Sequence, residues 1–239
     1  MRMSERFRTV TVLDRTSIAL SDSQHAKFEG CGGSYRPEQA AVKPQAELDL
    51  RTAALMHIEI EQRKSPAAAT GRQQVQCGVG SLRIADLGYF NRPIFAAIIA
   101  AAEYFLSRLQ FGTAVLQPDG LPLNLLVWLK SQPRGFIDCP RLVGVKDRLP
   151  CRLIAWRVPE EQANRRRQKL CEEMKRKNKK APESERLAWC DGSILVTNMP
   201  AERLTPTEAA GQYRVLSAKC VGLRFTVVGQ FELIFGFVG

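Results

Sequence analysis

A short strand-forming run that ends on an acid constrains this chain more than any other feature: Ser81-Leu-Arg-Ile-Ala-Asp86, continuing as Leu-Gly-Tyr-Phe90. Leu82, Ile84 and the small Ala85 suit a buried strand, and Gly88 can supply the positive φ of a turn behind it. Asp86 then falls at a strand end. Aspartate is a poor strand former and is costly to bury alone, so the position suggests a partner: a cation, a metal ion, or water in a cleft. Capping of the turn is the alternative. A second acid, Asp14, lies in Thr9-Val-Thr-Val-Leu-Asp14-Arg-Thr-Ser-Ile-Ala-Leu20, a β-branched run without Gly or Pro that predicts a central strand. Two strands that each carry an acid can bring both carboxylates to one divalent-metal centre, where cations cancel their repulsion and support phosphoryl transfer.

At 239 residues the chain can hold one sizeable domain, or a core with an inserted subdomain. Its net charge of +11 favours a polyanionic partner, nucleic acid before an anionic membrane surface. The cysteines at 31, 77, 139, 151, 171, 190 and 220 form no CxxC pair and no cluster with histidine, which argues against a zinc site. Their odd number and irregular spacing, in a chain that shows no signal peptide, fit reduced thiols in a cytosolic protein. The longest apolar stretches, 94–102 and 225–239, are short for a membrane span, and the second contains Glu232; a soluble chain with no membrane partner is expected.

After the first strand, 21–37 predicts a loop, and its Gly30-Cys-Gly-Gly33 lacks the Gly-Lys-Ser/Thr and helix signal of a phosphate cradle. Strands are expected over 46–52 and 55–62. The second alternates Met56, Ile58 and Ile60 with His57, Glu59 and Glu61, so its acids belong to an exposed polar face rather than to catalysis. A short helix is expected over 66–76, a helix over 93–102 that packs through Ile94, Phe95, Ile98 and Ile99, and a fifth strand over 104–109. Three strands followed by two more with crossover helices give a mixed sheet. From 112 to 158, apolar runs at 121–129, 141–146 and 152–158 separated by Pro and Gly predict a β-rich insertion whose small core holds Trp128 and Trp156, with base stacking as the other use of those rings.

Residues 159–180 predict a helix that opens on Glu160 and Glu161 and closes on cations. Between 165 and 180 stand nine Lys or Arg against two Glu, a local charge of +7. A solvated helix face explains such a run, and so does contact with a phosphate backbone; on the second account Arg165, Arg166, Arg167, Lys169, Lys175, Arg176, Lys177, Lys179 and Lys180 bind DNA. A strand at 194–197 precedes a helix with Thr205 as N-cap, Pro206 at its first position and Glu208 at its third.

The chain resembles the DDE transposases of bacterial insertion sequences, in particular the insertion-sequence-four group. The resemblance rests on Val12-Leu-Asp14-Arg-Thr-Ser-Ile-Ala-Leu20, on Ile84-Ala-Asp86-Leu-Gly-Tyr-Phe90, and on Ile194-Leu-Val-Thr-Asn198 followed by Tyr213-Arg214, and spans roughly 9–215. It implies an α/β fold: a ribonuclease H-like mixed sheet with flanking helices and a β-rich insertion. The core is then expected over 9–111, the insertion with its basic helix over 112–192, and the final strand, helix and an atypical tail over 193–239. It further implies Mg²⁺ or Mn²⁺ held by Asp14 and Asp86, DNA contacts from Tyr213 and Arg214, and metal-dependent cleavage and transfer of DNA strands at element ends and target. The expected setting is the bacterial cytoplasm and nucleoid, with a homodimer left open. Lys43 resembles a lysine found before the second strand in the family, with no role assigned.

The family helix carries Tyr-x2-Arg-x3-Glu-x6-Lys, whose Glu is the third catalytic acid. Counting from Tyr213 places Leu216, Cys220 and Val227 at the Arg, Glu and Lys positions. Glu232, in Gln230-Phe-Glu232-Leu-Ile-Phe235, is the stand-in for the third catalytic acid, although counting around it gives Val228 and Gly239 at the Arg and Lys positions. Helix formers thin out after Val215, as a frameshifted or recombined end would produce, or a divergent strand. The family's longer helical N-terminal region has no counterpart in the ten or so residues before the first strand, so an N-terminally shortened product is expected. A remnant that binds DNA without cutting it is the alternative to an active enzyme.

Overall fold

A computed structural model describes residues 3–15, 18–28, 40–61, 71–133, 135–219, 223–228 and 232–237, with the backbone alone for 3, 4, 19, 61, 214–219, 223–228 and 232–237. The glycine run at 30–33, the start of the helix expected over 66–76, and Cys31 and Cys220 lie outside the described residues. The chain divides into two compact units, 1–105 with 210–239, and 106–209. The sequence reading put these divisions at 111/112 and 192/193.

In the first unit the β-branched run forms β1 (Val10–Arg15), followed by β2 (Ile18–Ala19), β3 (Ala41–Asp49), β4 (Ala54–Glu61), β5 (Leu82–Ala85), helix α1 (Arg92–Ala100) and the start of β6 (Tyr104–Arg108). β4 pairs antiparallel with β3, β3 antiparallel with β1, and β1 parallel with β5, which neighbours β6. The order β4-β3-β1-β5-β6 is that of a ribonuclease H-like mixed sheet, and it makes β1 a central strand. Val10, Val12 and Leu13 are buried, and each such side chain contributes about 1.5–3 kcal/mol relative to exposure. α1 is capped by Asn91, whose side chain accepts from Ile94 N, and has Pro93 in its first turn. It buries Phe95 and Ile98, and Phe95 stacks on Phe105 with ring centroids 4.2 Å apart.

A buried polar group sits beneath this sheet. Glu47 is 2% exposed and is paired with Arg72, while the buried Arg83 donates to the carbonyls of Gln73 and Val75 and to Cys77 Sγ. These contacts tie the 3-10 turn at Gly71–Gln74 and the segment after it to β3 and β5.

Three expectations need correction in detail. The apolar face read on β4 is not covered, since Met56 is 52% and Ile60 54% exposed on a strand that, among the described residues, pairs with β3 alone. Gly88 takes no positive φ; Leu87–Tyr89 is a 3-10 turn that any residue can adopt. The apolar run at 121–129 is mostly helical, because Asn124 accepts from Val127 N and starts a helix on residues that are not predominantly β-branched.

The second unit contains the end of β6, β7 (Val115–Leu116), β8 (Pro122–Leu123), α2 (Leu125–Ser131), β9 (Phe136–Val143), β10 (Leu149–Arg157), α3 (Glu160–Arg176), α4 (Ser184–Ala188) and β11 (Gly192–Thr197). Its strands run antiparallel in the order β6-β11-β10-β9-β7-β8 over a core of Leu153, Ile154, Leu195, Met199 and Leu204. Arg152 fixes the segment after β11 by a two-point pair with Asp138 and by donating to the carbonyls of Met199 and Leu204. Trp156 packs on Phe136 at 5.5 Å, and the Arg141 guanidinium lies 4.5 Å from the Trp128 ring.

Helix α5 (Pro206–Lys219) opens on a reciprocal cap: Glu208 N donates to Thr205 Oγ1, and Thr205 N and Oγ1 donate to Glu208 Oε2. Beyond it, β12 (Leu223–Val228) and β13 (Glu232–Phe237) form a two-stranded antiparallel sheet. Among the described residues, no helix is long and apolar enough to cross a membrane.

Candidate active site

β1 is buried from Val10 to Leu13 and β5 along its whole length, and the two pair in parallel. Val10, Thr11, Val12 and Leu13 lie opposite Leu82, Arg83, Ile84 and Ala85 in parallel pairing. One residue further, Asp14 and Asp86 leave the same end of two neighbouring strands, whose backbones stand roughly 4.8 Å apart. Leu13 and Ala85 are 1% and 2% exposed, so the two acids mark the step from core to surface. Asp14 is half-buried and Asp86 exposed.

Each carboxylate has a local partner. Arg15 N donates to Asp14 Oδ1 at 2.8 Å, which holds the side chain back along its own strand. Asp86 occupies the N-cap position of the 3-10 turn, yet its side chain makes no capping bond; only its carbonyl takes part, accepting from Tyr89 N. The turn-capping alternative therefore fails. The Asp86 carboxylate accepts from the phenol of Tyr213 instead, at 2.8 Å across 127 residues of chain. Tyr213 was expected to contact DNA, and its link to Asp86 is the relationship sequence reasoning missed. The only signal for it was that both residues fall in motifs of one family.

The third acid is not on the helix expected to bear it. α5 carries one acid, Glu208, and that carboxylate is engaged in the cap at Thr205. Glu232 begins β13 opposite Val228, and its side chain, like that of Arg214, lies outside what is described. Among the described residues, no three His, Cys, Asp or Glu side chains form a metal-holding group.

The cations of the basic helix divide into two sets. Arg166 donates to the Gly192 carbonyl and to Ser193 Oγ at 2.8 and 3.0 Å, and burial, with Arg108 nearby, lowers its pKa. Arg167 pairs with Asp191 and with Glu160. These two dock α3 on its own unit. Arg165 and Lys177 pair with Glu161 and Glu173 along the helix, and the Lys177 hydrogen bond lowers the pKa of Glu173. Lys169, Lys175, Arg176, Lys179 and Lys180 are exposed. A cavity of about 290 Å³ beneath α3 is lined by Leu126, Leu129, Ile137, Trp156, Trp189 and Ile194. The acids at its rim, Glu160 and Asp191, are both held by Arg167, so it offers no open carboxylate pair.

The chain is 24% identical over 220 residues to the transposase for insertion sequence element IS231F of Bacillus thuringiensis subsp. israelensis, an alignment that covers 84% of this chain and 46% of that protein. It is 24% identical over 226 residues to the transposase for insertion sequence element IS1151 of Clostridium perfringens, covering 87% of this chain and 47% of that one. The chain thus spans about half the length of the curated relatives it matches. Among solved structures, a piggyBac transposase in a synaptic complex with hairpin DNA aligns over 90% of this chain and 41% of its own, with a TM-score of 0.44 and 9% identity. The family model described as the transposase DDE domain matches residues 5–215, nearly the whole chain, and with the carboxylate pair inside that span the chain belongs to the transposase DDE domain family.

Proposed function

We propose that this chain carries the catalytic core of an insertion-sequence transposase, which cuts DNA at element ends and joins it to a target, with Asp14 and Asp86 holding divalent metal. The observation that carries the reading is the parallel register of β1 and β5, which ends at Leu13 and Ala85 and makes Asp14 and Asp86 the next residue of each chain segment. Their donor set fits a hard cation: carboxylate oxygens at a surface step, close enough to repel each other unless a cation lies between them. Mg²⁺ or Mn²⁺ suits such oxygens, and bound there would activate the attacking oxygen and stabilise the leaving one in an in-line displacement. Asp14 and Asp86 would anchor and orient it. Glu232 remains our choice for the third acid, on sequence alone.

DNA is held, in this reading, through its phosphates by the exposed cations Lys169, Lys175, Arg176, Lys179 and Lys180, with Arg165 and Lys177 released from their exposed helical pairs on contact. Arg166 and Arg167 serve by fixing the helix. The protein would work in the bacterial cytoplasm on nucleoid DNA.

A second reading, a remnant that binds DNA without cutting it, draws on one observation: among the described residues no third acid accompanies the pair. Nicking of supercoiled plasmid with Mg²⁺ or Mn²⁺ separates the two. Parent chain that nicks, and Asp14→Asn or Asp86→Asn variants that lose about a hundredfold or more in rate while still binding DNA, support the enzyme. Salt-sensitive binding with no nicking by the parent supports the remnant. Unchanged nicking by both variants excludes the carboxylate pair as the metal site.

A further inference from the structure

We infer that Tyr213 is a positioning residue for Asp86: its phenol orients that carboxylate for a divalent cation. The inference rests on the metal-holding reading above and adds a residue whose part in it is not a contact with DNA.

The direction of the bond is set by chemistry. An ionised aspartate only accepts, so the phenol donates to Oδ1. The rigidity is one-sided. Tyr213, on α5, is buried at 7% exposure, whereas Asp86 is exposed and its side chain makes no bond to its own turn. The buried ring therefore fixes the exposed carboxylate. One hydroxyl on Oδ1 uses one of about four lone-pair sites, which leaves the rest of that oxygen and all of Oδ2 to a cation. A phosphate contact by the same hydroxyl would compete with this bond. Groups that hold a metal-binding side chain in place usually change metal affinity by about 10- to 100-fold, and a single neutral donor on an exposed carboxylate belongs at the low end.

The test is Mn²⁺ uptake by the full chain, followed as loss of the free-ion electron paramagnetic resonance signal. It compares the parent, Tyr213→Phe, Asp86→Asn and the double variant. We expect Asp86→Asn to abolish tight uptake, Tyr213→Phe to weaken it by about tenfold, and the double variant to match Asp86→Asn. A tyrosine with only a structural part would lower the unfolding midpoint and leave the Mn²⁺ affinity of the folded chain unchanged. That result overturns the inference while the Asp86→Asn loss keeps the metal reading intact. Uptake that survives in Asp86→Asn, or is missing in the parent, overturns the metal reading and the inference together. If Tyr213→Phe does not fold, 4-fluorophenylalanine at 213 keeps a ring of nearly the same size without the donor; Mn²⁺ affinity must then fall by about tenfold, and an unchanged affinity overturns the inference.

Discussion

Leu13 and Ala85 face each other across a parallel strand pair, and that register puts Asp14 beside Asp86. Two carboxylates on one rung repel. At a separation of about 5 Å the cost is roughly 1 kcal/mol if water screens them fully, and more to the extent that the half-buried Asp14 is shielded from solvent. In the absence of metal, Asp86→Asn removes this repulsion and keeps an acceptor for Tyr213, so it should unfold at the same temperature as the parent or slightly above. Addition of Mn²⁺ should then raise the midpoint of the parent alone, because only a site that binds the ion is stabilised by it. Scanning calorimetry with and without millimolar Mn²⁺ checks both halves. A variant stabilised by the metal as much as the parent counts against the pair.

The cap at the start of α5 leads to a prediction about which acid is not catalytic. Thr205→Ala should cost about 1 kcal/mol, as the loss of an N-cap side chain usually does. Glu208→Ala should cost a similar or smaller amount, since it removes the other half of the reciprocal bond. Neither should change Mn²⁺ uptake. Loss of uptake in Glu208→Ala would make it the missing third acid after all.

Beneath the sheet, Glu47 is buried with the partly exposed Arg72 as its ion partner. Removing the arginine leaves a carboxylate out of water with only weak sulfur contact from Cys77, 3.6 Å away. Arg72→Met should therefore destabilise by about 3–5 kcal/mol, and Arg72→Met with Glu47→Gln by less, because the second change removes the stranded charge. Urea unfolding of the parent, both single variants and the double measures this. Additive losses would mean that the pair is not coupled.

These tests also mark how far the sequence could be read. That Asp14 stands on a strand and Asp86 directly after one follows from local composition: β-branched residues around the first, Leu, Ile and Ala before the second. That they leave the same end of two neighbouring strands does not, because register depends on residues 72 positions apart. The alternation of Met56, Ile58 and Ile60 identified a strand correctly but not its burial, since periodicity cannot tell an edge strand from a covered one. At 121–129 the apolar run misled because a short run fits strand or helix alike, and the cap at Asn124 decided it. Counting charge between 165 and 180 could not separate Arg166 and Arg167 from the lysines, because their acceptors at Gly192 and Asp191 lie more than twenty residues on.

That separation gives the last prediction. If the exposed cations of α3 and of the segment directly after it meet phosphate, each removes about one counterion from DNA, and the slope of log affinity against log salt falls in magnitude by roughly 0.9 per cation deleted. Lys175→Gln and Lys179→Gln together should reduce it by about 1.8, with little change in stability. Arg166→Gln should behave differently. It leaves the Gly192 carbonyl and Ser193 without their charged donor, so it should lower the unfolding midpoint while the slope of the remaining folded protein stays close to that of the parent. Titrations of labelled duplex between 50 and 200 mM salt, a range over which such slopes are resolved, measure the first effect, and melting curves the second. A slope that moves with Arg166 and not with the two lysines would place the DNA on the opposite face of the helix.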